Sequence, residues 1–378
     1  MPRKLKVMTV LGTRPEIIRL ARVMHRLEET CDHVLVHTGQ NSDYELNDVF
    51  FEDLEVRKPD HFCNVSRDSL GQILGGVLIG AEKAMREERP DAVLVLGDTN
   101  SCFAAVIARR MKIPVFHMEA GNRCFDFNVP EELNRRIVDH TSDFNLVYTE
   151  HARRNLLSEG MHPRKVYLTG SPMNEVLEFA RPKIDASDIH EKLGLQKGGY
   201  FVVSLHRAEN VDPPQNLRAL LKVLAALHAD HGLPVIASTH PRTRQKLDAL
   251  GEELPEGVRF EKPFGYFDYN RLQLDAKCTL SDSGTISEES SMLGFPAVTV
   301  RTAIERPEAL DTGHIILTGL DPDRVLSAVD LAVATHEELG RHPIPADYQP
   351  TSTSLRVAKL ICGLTGLAHR WDGIVPVA

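Results

Sequence analysis

No CxxC pair and no Cys/His spacing of the kind that holds zinc occurs in the 378 residues. The six cysteines, at 31, 63, 102, 124, 278 and 362, are scattered along the chain. Scattered free thiols suit a reducing cytoplasm. A surplus of positive charge is also missing. The formal net charge is −9, which argues against a general nucleic-acid or anionic-membrane binder and leaves room for a local basic pocket. No apolar run approaches the ~20 residues of a membrane span. In the N-terminal MPRKLKVMTVLG the apolar run is only about five residues, too short for a signal-peptide core, so it reads as the first strand. There is no Walker A loop, and the run Gly71, Gly75, Gly76, Gly80 is not GxGxxG. Its spacing predicts close helix packing. Low-complexity tracts and short repeats are absent.

The composition that remains, 42% hydrophobic and 26% charged, is that of a globular protein. The length is too great for one ordinary core and suits two domains. Short Val/Ile/Leu-rich runs without strict alternation recur at 5–11, 33–38, 92–97, 113–118, 144–149 and 165–170. After a break at 172–198 that holds Pro172, Pro182 and Gly198-Gly199, they resume at 200–205, 234–239, 258–263, 277–282, 296–300 and 314–319. Runs of this kind are strands covered on both faces, and amphipathic stretches lie between them. The pattern predicts an α/β chain of two doubly wound, Rossmann-like domains facing a cleft. The expected first domain is 1–172 with a C-terminal helix in 355–378, and the second is 196–354.

In open parallel sheets ligands bind beyond the carboxyl ends of the strands. Nearly every predicted strand delivers a polar group to that edge. Gly12, Arg14 and Arg19 follow the first run; Asp98 and Thr99 follow 92–97; Glu119, Gly121 and Arg123 follow 113–118. His206 and Arg207, His240 and Arg242, then Ser283, Gly284, Thr285 and Glu289, then Arg301, Glu305 and Arg306 follow strands of the second half. Ser283-Gly284-Thr285 opens a helix, whose free N–H groups and dipole can hold a phosphate; the same residues also suit an ordinary N-cap. Glu289 can accept two ribose hydroxyls or be a solvated helix position. The segment FHMEAGNRCFDFNVPEE (116–132) gathers Glu119, Asp126, Glu131 and Glu132, where repulsion and desolvation both cost free energy. Asp321-Pro322-Asp323 mimics a metal-binding DxD, but Asp321 before a proline reads as a helix cap, so no metal is expected.

Seven motifs occur in order: GTRPE (12–16), GDT (97–99), EAG (119–121), PEE with NR (130–135), HR-x-EN (206–210), DSG (282–284) and ERPE (305–308). Together they resemble the non-hydrolysing UDP-N-acetylglucosamine 2-epimerase family, which has the GT-B fold. The resemblance implies UDP elimination and re-addition through a 2-acetamidoglucal, interconverting UDP-GlcNAc and UDP-ManNAc. It carries catalytic roles onto Asp98, Glu119, Glu131 and His206. It carries substrate and UDP contacts onto Arg14, Arg19, Arg135, His240, Phe264, Tyr269, Ser283, Gly284, Thr285, Glu289 and Arg306. It implies no dissociable cofactor, a homodimer, and no nucleic-acid or membrane partner. A clustered carboxylate with a raised pKa is expected to keep a proton available near neutrality.

Departures from the family pattern bear on the substrate. Arg19 stands for the usual Lys, Thr285 for the second Gly of DSGG, and Ala208 for the second Arg of HRREN; TGQNSDYEL (38–46) also departs. They argue against allosteric activation. GNRCFDFNVPEELNRRIVDH looks closer to a branch acting on UDP-2,3-diacetamido-glucuronate or 6-deoxy UDP-HexNAc sugars for surface polysaccharides. A GT-B glycosyltransferase, a hydrolysing epimerase and a silent nucleotide-sugar sensor are the other readings; retention of the acidic residues and His206 argues against the sensor.

Overall fold

A computed structural model describes residues 3–39, 50–66 and 68–374. The departure noted at TGQNSDYEL lies, from residue 40 on, outside the described residues. The chain divides into two compact units, residues 1–178 with 347–378, and residues 179–346.

The first unit holds a parallel seven-stranded sheet. Its strands are β1 (Lys6–Leu11), β2 (Asp32–His37), β3 (His61–Phe62), β4 (Ala92–Leu96), β5 (Val115–Met118), β6 (Phe144–Val147) and β7 (Val166–Leu168). Their spatial order is β3-β2-β1-β4-β5-β6-β7. The second unit repeats the plan with β8 (Phe201–Ser204), β9 (Val235–Ser238), β10 (Val258–Glu261), β11 (Cys278–Ser281), β12 (Ala297–Thr299) and β13 (Ile315–Leu317), ordered β10-β9-β8-β11-β12-β13. Each is a doubly wound sheet, as the strand–helix alternation predicts. Chain order reverses between β1 and β4 in one and between β8 and β11 in the other. At such a reversal neighbouring strand ends diverge and leave a crevice for a ligand.

Burial explains why these runs are strands. In β4 every residue of AVLVL is buried, so both faces are covered, and Met8, Val10, Val36, Val93 and Val95 join helix residues in one core cluster. Phe201, Val203, Leu280 and Val298 do the same in the second unit. The two-residue β3 escapes sequence reading because an edge strand so short carries no periodicity.

The segment 172–198 is mostly helical, with helices Met173–Asp185 and Ile189–Leu193. Pro182 lies inside the first of these. Its missing N–H cannot serve the carbonyl four residues back, at Glu178. The division between units falls at that same point, between Glu178 and Phe179. Helix Thr353–Leu364 packs on helix Arg14–Thr30 within the first unit. The glycine run is corrected in part. A Cβ on Gly76 would stand 2.8 Å from Val65 and one on Gly80 2.6 Å from Cys63, but Gly71 and Gly75 meet no close neighbour.

Candidate functional site

In the first unit the β1/β4 reversal brings the turn Gly12-Thr13 beside Asp98-Thr99. Thr13 is the N-cap of helix Arg14–Thr30, and Pro15 occupies its first turn, where a missing N–H costs nothing. Thr13 does not cap with its side chain; its hydroxyl donates instead to Glu16 Oε2 at 2.7 Å, and the Gly12 N–H donates to the same oxygen at 3.0 Å. The Thr99 hydroxyl donates to Glu16 Oε1 at 3.0 Å. Glu16 is thereby shut in, with 1% of its surface exposed. Burial pushes its carboxyl up from 4.5 to about 7, against the pull of those three donors. A carboxyl tuned to neutrality was expected. The group is Glu16, which was not among the candidates, and the cause is desolvation and not crowding of like charges.

Asp98 follows β4, and Arg135 Nε and Nη2 both lie 2.7 Å from its Oδ2. Glu119 follows β5, the strand hydrogen-bonded to β4, and forms a buried ion pair with Arg19. Its φ of +62° is left-handed backbone, a conformation that costs a non-glycine residue free energy and collects at functional sites. Beneath it His117 Nε2 donates to the Gly97 carbonyl at 2.7 Å, and Nδ1 stands 3.0 Å from Asp139, which also holds Arg123 at 2.7 Å. This network stiffens the ends of β4 and β5.

The four carboxylates of 116–132 separate by role. Asp126 accepts from the Asn128 N–H at 2.9 Å and shapes the loop. Glu132 is fully buried and accepts from the Cys124 N–H (3.0 Å), Arg135 (3.1 Å) and Arg136 (2.9 Å), so it too is architectural. Glu131, one residue earlier in the first turn of helix Pro130–Thr141, is partly exposed and makes no hydrogen bond or ion pair among the described residues. Arg19 and Arg135, expected at the nucleotide, are each held by an acidic candidate of this unit. Arg14 lies with its guanidinium 5.8 Å from the Phe50 ring.

In the second unit the β8/β11 reversal is built on Asp282, which is fully buried. It accepts from the His206 and Arg207 N–H groups (3.1 and 3.0 Å) and from Asn210 Nδ2 (3.0 Å). Asp282 was not singled out from sequence. The signal was present, since HR-x-EN and DSG each follow a strand and the Rossmann order makes those strands neighbours. The His206 side chain is 43% exposed, and its Nδ1 stands 3.4 Å from Asp282. Its ring centroid lies 6.3 Å from that of His240, which caps helix Pro241–Leu250 by accepting the Arg242 N–H at Nδ1.

Ser283 and Thr285 bond to each other at 2.9 Å, ahead of helix Ile286–Leu293. A Cβ on Gly284 would stand 2.4 Å from both Arg306 Nη1 and Glu305 Oε1, so only glycine lets these groups approach the helix start. Glu305 accepts from Arg301 (2.7 Å), Arg207 (3.3 Å) and Arg306 (3.4 Å), and Arg306 also lies 3.3 Å from the buried Glu288. Three guanidinium groups thus gather beside the start of this helix, where the Ser283 and Thr285 N–H groups donate within the turn, to Ser281 Oγ at 3.0 Å and Ser283 Oγ at 3.3 Å; clustered guanidinium groups suit a diphosphate. Glu289 accepts from Gln273 at 3.2 Å. Tyr269 and Phe264 pack against the Tyr200–Ile236 cluster, and burial with the nearby Glu289 raises the Tyr269 pKa. Asp321, the DxD mimic, is a helix cap: it accepts the Arg324 N–H at 3.0 Å.

Comparison with known proteins follows this geometry. Residues 25–362 match the family described as UDP-N-acetylglucosamine 2-epimerase. The chain is 44% identical to the UDP-N-acetylglucosamine 2-epimerase of Rickettsia bellii, with a TM-score of 0.90 over 98% of this chain and 100% of that one. It is 31% identical to the Methanocaldococcus jannaschii UDP-GlcNAc 2-epimerase solved with UDP-GlcNAc and UDP, with a TM-score of 0.88 over 95% and 99%. It is 33% identical to the UDP-2,3-diacetamido-2,3-dideoxy-D-glucuronate 2-epimerase of Pseudomonas aeruginosa, over 86% of this chain and 91% of that protein. The fold is GT-B-like, as the motifs imply.

Proposed function

Because this chain belongs to the UDP-N-acetylglucosamine 2-epimerase family, we propose that it inverts C2 of a UDP-N-acetylhexosamine by elimination and re-addition of UDP. A carboxylate takes the C2 proton while the C1–O bond breaks with its electron pair passing to the β-phosphate. A double bond forms between C1 and C2, giving the 2-acetamidoglucal. A second acid then delivers a proton to the opposite face of C2 as the phosphate oxygen returns to C1. The C2 proton has no carbonyl beside it, so it leaves only as positive charge builds at C1. Carboxylates stabilise that charge and also exchange the proton.

The observation that carries this reading is the acidic set of the first unit. Asp98 and Glu119 stand at the ends of adjacent strands, each fixed by an arginine. Glu131, unpaired among the described residues, stands in the first turn of the helix that supplies Arg135. His206, Gly284, Ser283, Arg306 and the Arg207–Glu305 network supply the grip on the departing UDP in this proposal. The domain roles follow: residues 1–172 with the C-terminal helix for proton transfer, 196–354 for UDP.

The sugar pair is UDP-GlcNAc and UDP-ManNAc, or a modified pair substituted at C3 or C6. Either product suits supply of a surface polysaccharide. Incubation in D2O with UDP-GlcNAc and with modified UDP-HexNAc sugars, followed at C2 by NMR, tests the reading. Deuterium at C2 of intact UDP-sugar is expected. Free ManNAc, transfer without exchange, or binding alone would each replace it with another function.

A homodimer is part of the proposal, supported by exposed Ile79 and the open Gly75 one turn earlier on helix Leu70–Glu88. Light scattering on the eluting protein checks it. Six unbridged cysteines among the described residues support a cytoplasmic setting.

A further inference from the structure

Glu16 is a buried acid without a cation. Its hydrogen bonds include the Gly12 N–H, the Thr13 hydroxyl and the Thr99 hydroxyl, and no ion pair joins them among the described residues. Two of those donors belong to the turn that leads into Arg14, and the third is the residue next to Asp98. The same turn is pressed from its other side. A Cβ on Gly12 would stand 2.0 Å from Thr38 Oγ1 and 2.3 Å from Ser101 Oγ, and those two hydroxyls bond to each other at 2.9 Å. The Thr99 Oγ1 that donates to Glu16 also accepts the Ser101 N–H at 3.2 Å. The ends of β1, β2 and β4 therefore meet in one closed hydrogen-bonded set with the Glu16 carboxylate at its centre.

We propose that Glu16 is a positioning residue of the epimerase site: its carboxylate clamps the β1 turn to the β4 turn and so sets where Asp98 stands. The inference rests on the epimerase reading above. A carboxylate offers acceptors to all three donors at once. A carboxyl that has gained a proton must spend one oxygen as a donor, so the Thr99 hydroxyl must turn round and accept, and the charge-assisted bond that holds the Asp98 turn is replaced by a weaker neutral one. The clamp is thus sensitive to the charge of Glu16, which changes near pH 7 because burial raises its pKa.

The charged and titratable groups on the elements around it are Arg14 and Arg19 from its own helix, His37 at the end of β2, which burial keeps neutral by lowering its pKa to about 4, Asp98 and Cys102 from the β4 connection, Glu119 beyond β5, and Arg135. Of these Cys102 feels the Glu16 charge directly; burial first, then Asp98 and Glu16, raise its thiol pKa well above the ordinary value. Asp98 and Glu119 are held by Arg135 and Arg19. Glu16 has no such partner to fix its charge.

The rate of deuterium entry at C2 tests this, read from about pH 5.5 to about pH 9 for wild type, Glu16→Gln and Thr99→Val. Glutamine has the shape of the protonated acid. Wild type is expected to show an inflection near pH 7. Glu16→Gln is expected to lose the inflection and about tenfold or more of the pH 8 rate. Thr99→Val cuts the bridge to the Asp98 turn and leaves the other two bonds, so it is expected to lose about fivefold and keep a weaker inflection. A Glu16→Gln enzyme with wild-type rate and inflection overturns the clamp, as does a Thr99→Val enzyme at the full rate if Glu16→Gln does not fold. A wild-type protein that never exchanges C2 with any UDP-HexNAc overturns the epimerase reading instead.

Discussion

At the scale of single residues, the chemistry separates by how each acid is held. The Glu119–Arg19 pair is buried on both sides, whereas Asp98 keeps 22% of its side chain in contact with solvent. Removing one partner of a buried pair costs about 3 kcal/mol or more, whereas Arg135, itself buried, keeps Glu132 as a partner when Asp98 is neutralised. Asp98→Asn and Glu119→Gln are therefore expected to lose turnover alike, by about 100-fold or more, as acid–base groups do. Only Glu119→Gln should also lower the melting temperature by several degrees, since about 1 kcal/mol moves it by 2–4 °C in domains of this size. Equal melting temperatures would contradict the cost of breaking the buried pair. Glu16 predicts an opposite sign. Its folded pKa of about 7 lies above the ordinary 4.5, so its contribution to stability is whole below pH 4.5 and is lost as pH rises through 7. At about 1.4 kcal/mol per pH unit the loss is about 3 kcal/mol by pH 8. Glu16→Gln has no charge to bury. Its melting temperature relative to wild type should rise between pH 5 and pH 8 while its activity falls, and a difference that stays constant with pH would contradict the burial cost.

At the scale of elements, the doubly wound order turns separate motifs into sites. GTRPE and GDT lie far apart in sequence and meet because β1 pairs β4; HR-x-EN and DSG meet because β8 pairs β11. The strands were legible because each is buried on both faces and reads as an apolar run. The strand-end residues were legible as a set because a parallel sheet collects them on one edge. Side-chain direction was not legible. Glu131 and Glu132 are equal in sequence, but successive helix positions point about 100° apart, so one is sealed under Arg136 and the other is left open. Glu16 was hidden for a related reason: a carboxylate that accepts a backbone N–H within its own turn shows no sequence sign of it. Gly284 shows the same limit from the other side, since what it makes room for is Arg306 and Glu305. Gly284→Ala should push those side chains away from the helix start. UDP affinity measured by calorimetry is expected to fall about tenfold, about 1.4 kcal/mol, the order of one charge-assisted bond. Unchanged affinity would mean that UDP does not use this helix end.

At the scale of the whole molecule, epimerisation demands two operations that need different chemistry, and the proposal assigns one to each sheet. Proton transfer needs acids whose positions are fixed; the first unit supplies them at the ends of β4 and β5. Retention of a leaving group needs positive charge; in the proposal the second unit supplies Arg207, Arg301 and Arg306 beside the start of helix Ile286–Leu293. If the two halves act as proposed, damaging each should fail in its own way. Glu131→Gln should lower the rate of C2 exchange by about 100-fold and leave UDP affinity unchanged, because it touches only the proton. Arg306→Ala should still allow elimination but weaken the hold on UDP between the two steps, so that the intermediate escapes before re-addition. The expected product is then free 2-acetamidoglucal with free UDP in equal amounts, visible by NMR, while net epimerisation falls by about tenfold or more. An Arg306→Ala enzyme that slows exchange and releases no glucal would mean that this arginine serves bond breaking and not retention. The division of labour between the two sheets would then have to be redrawn.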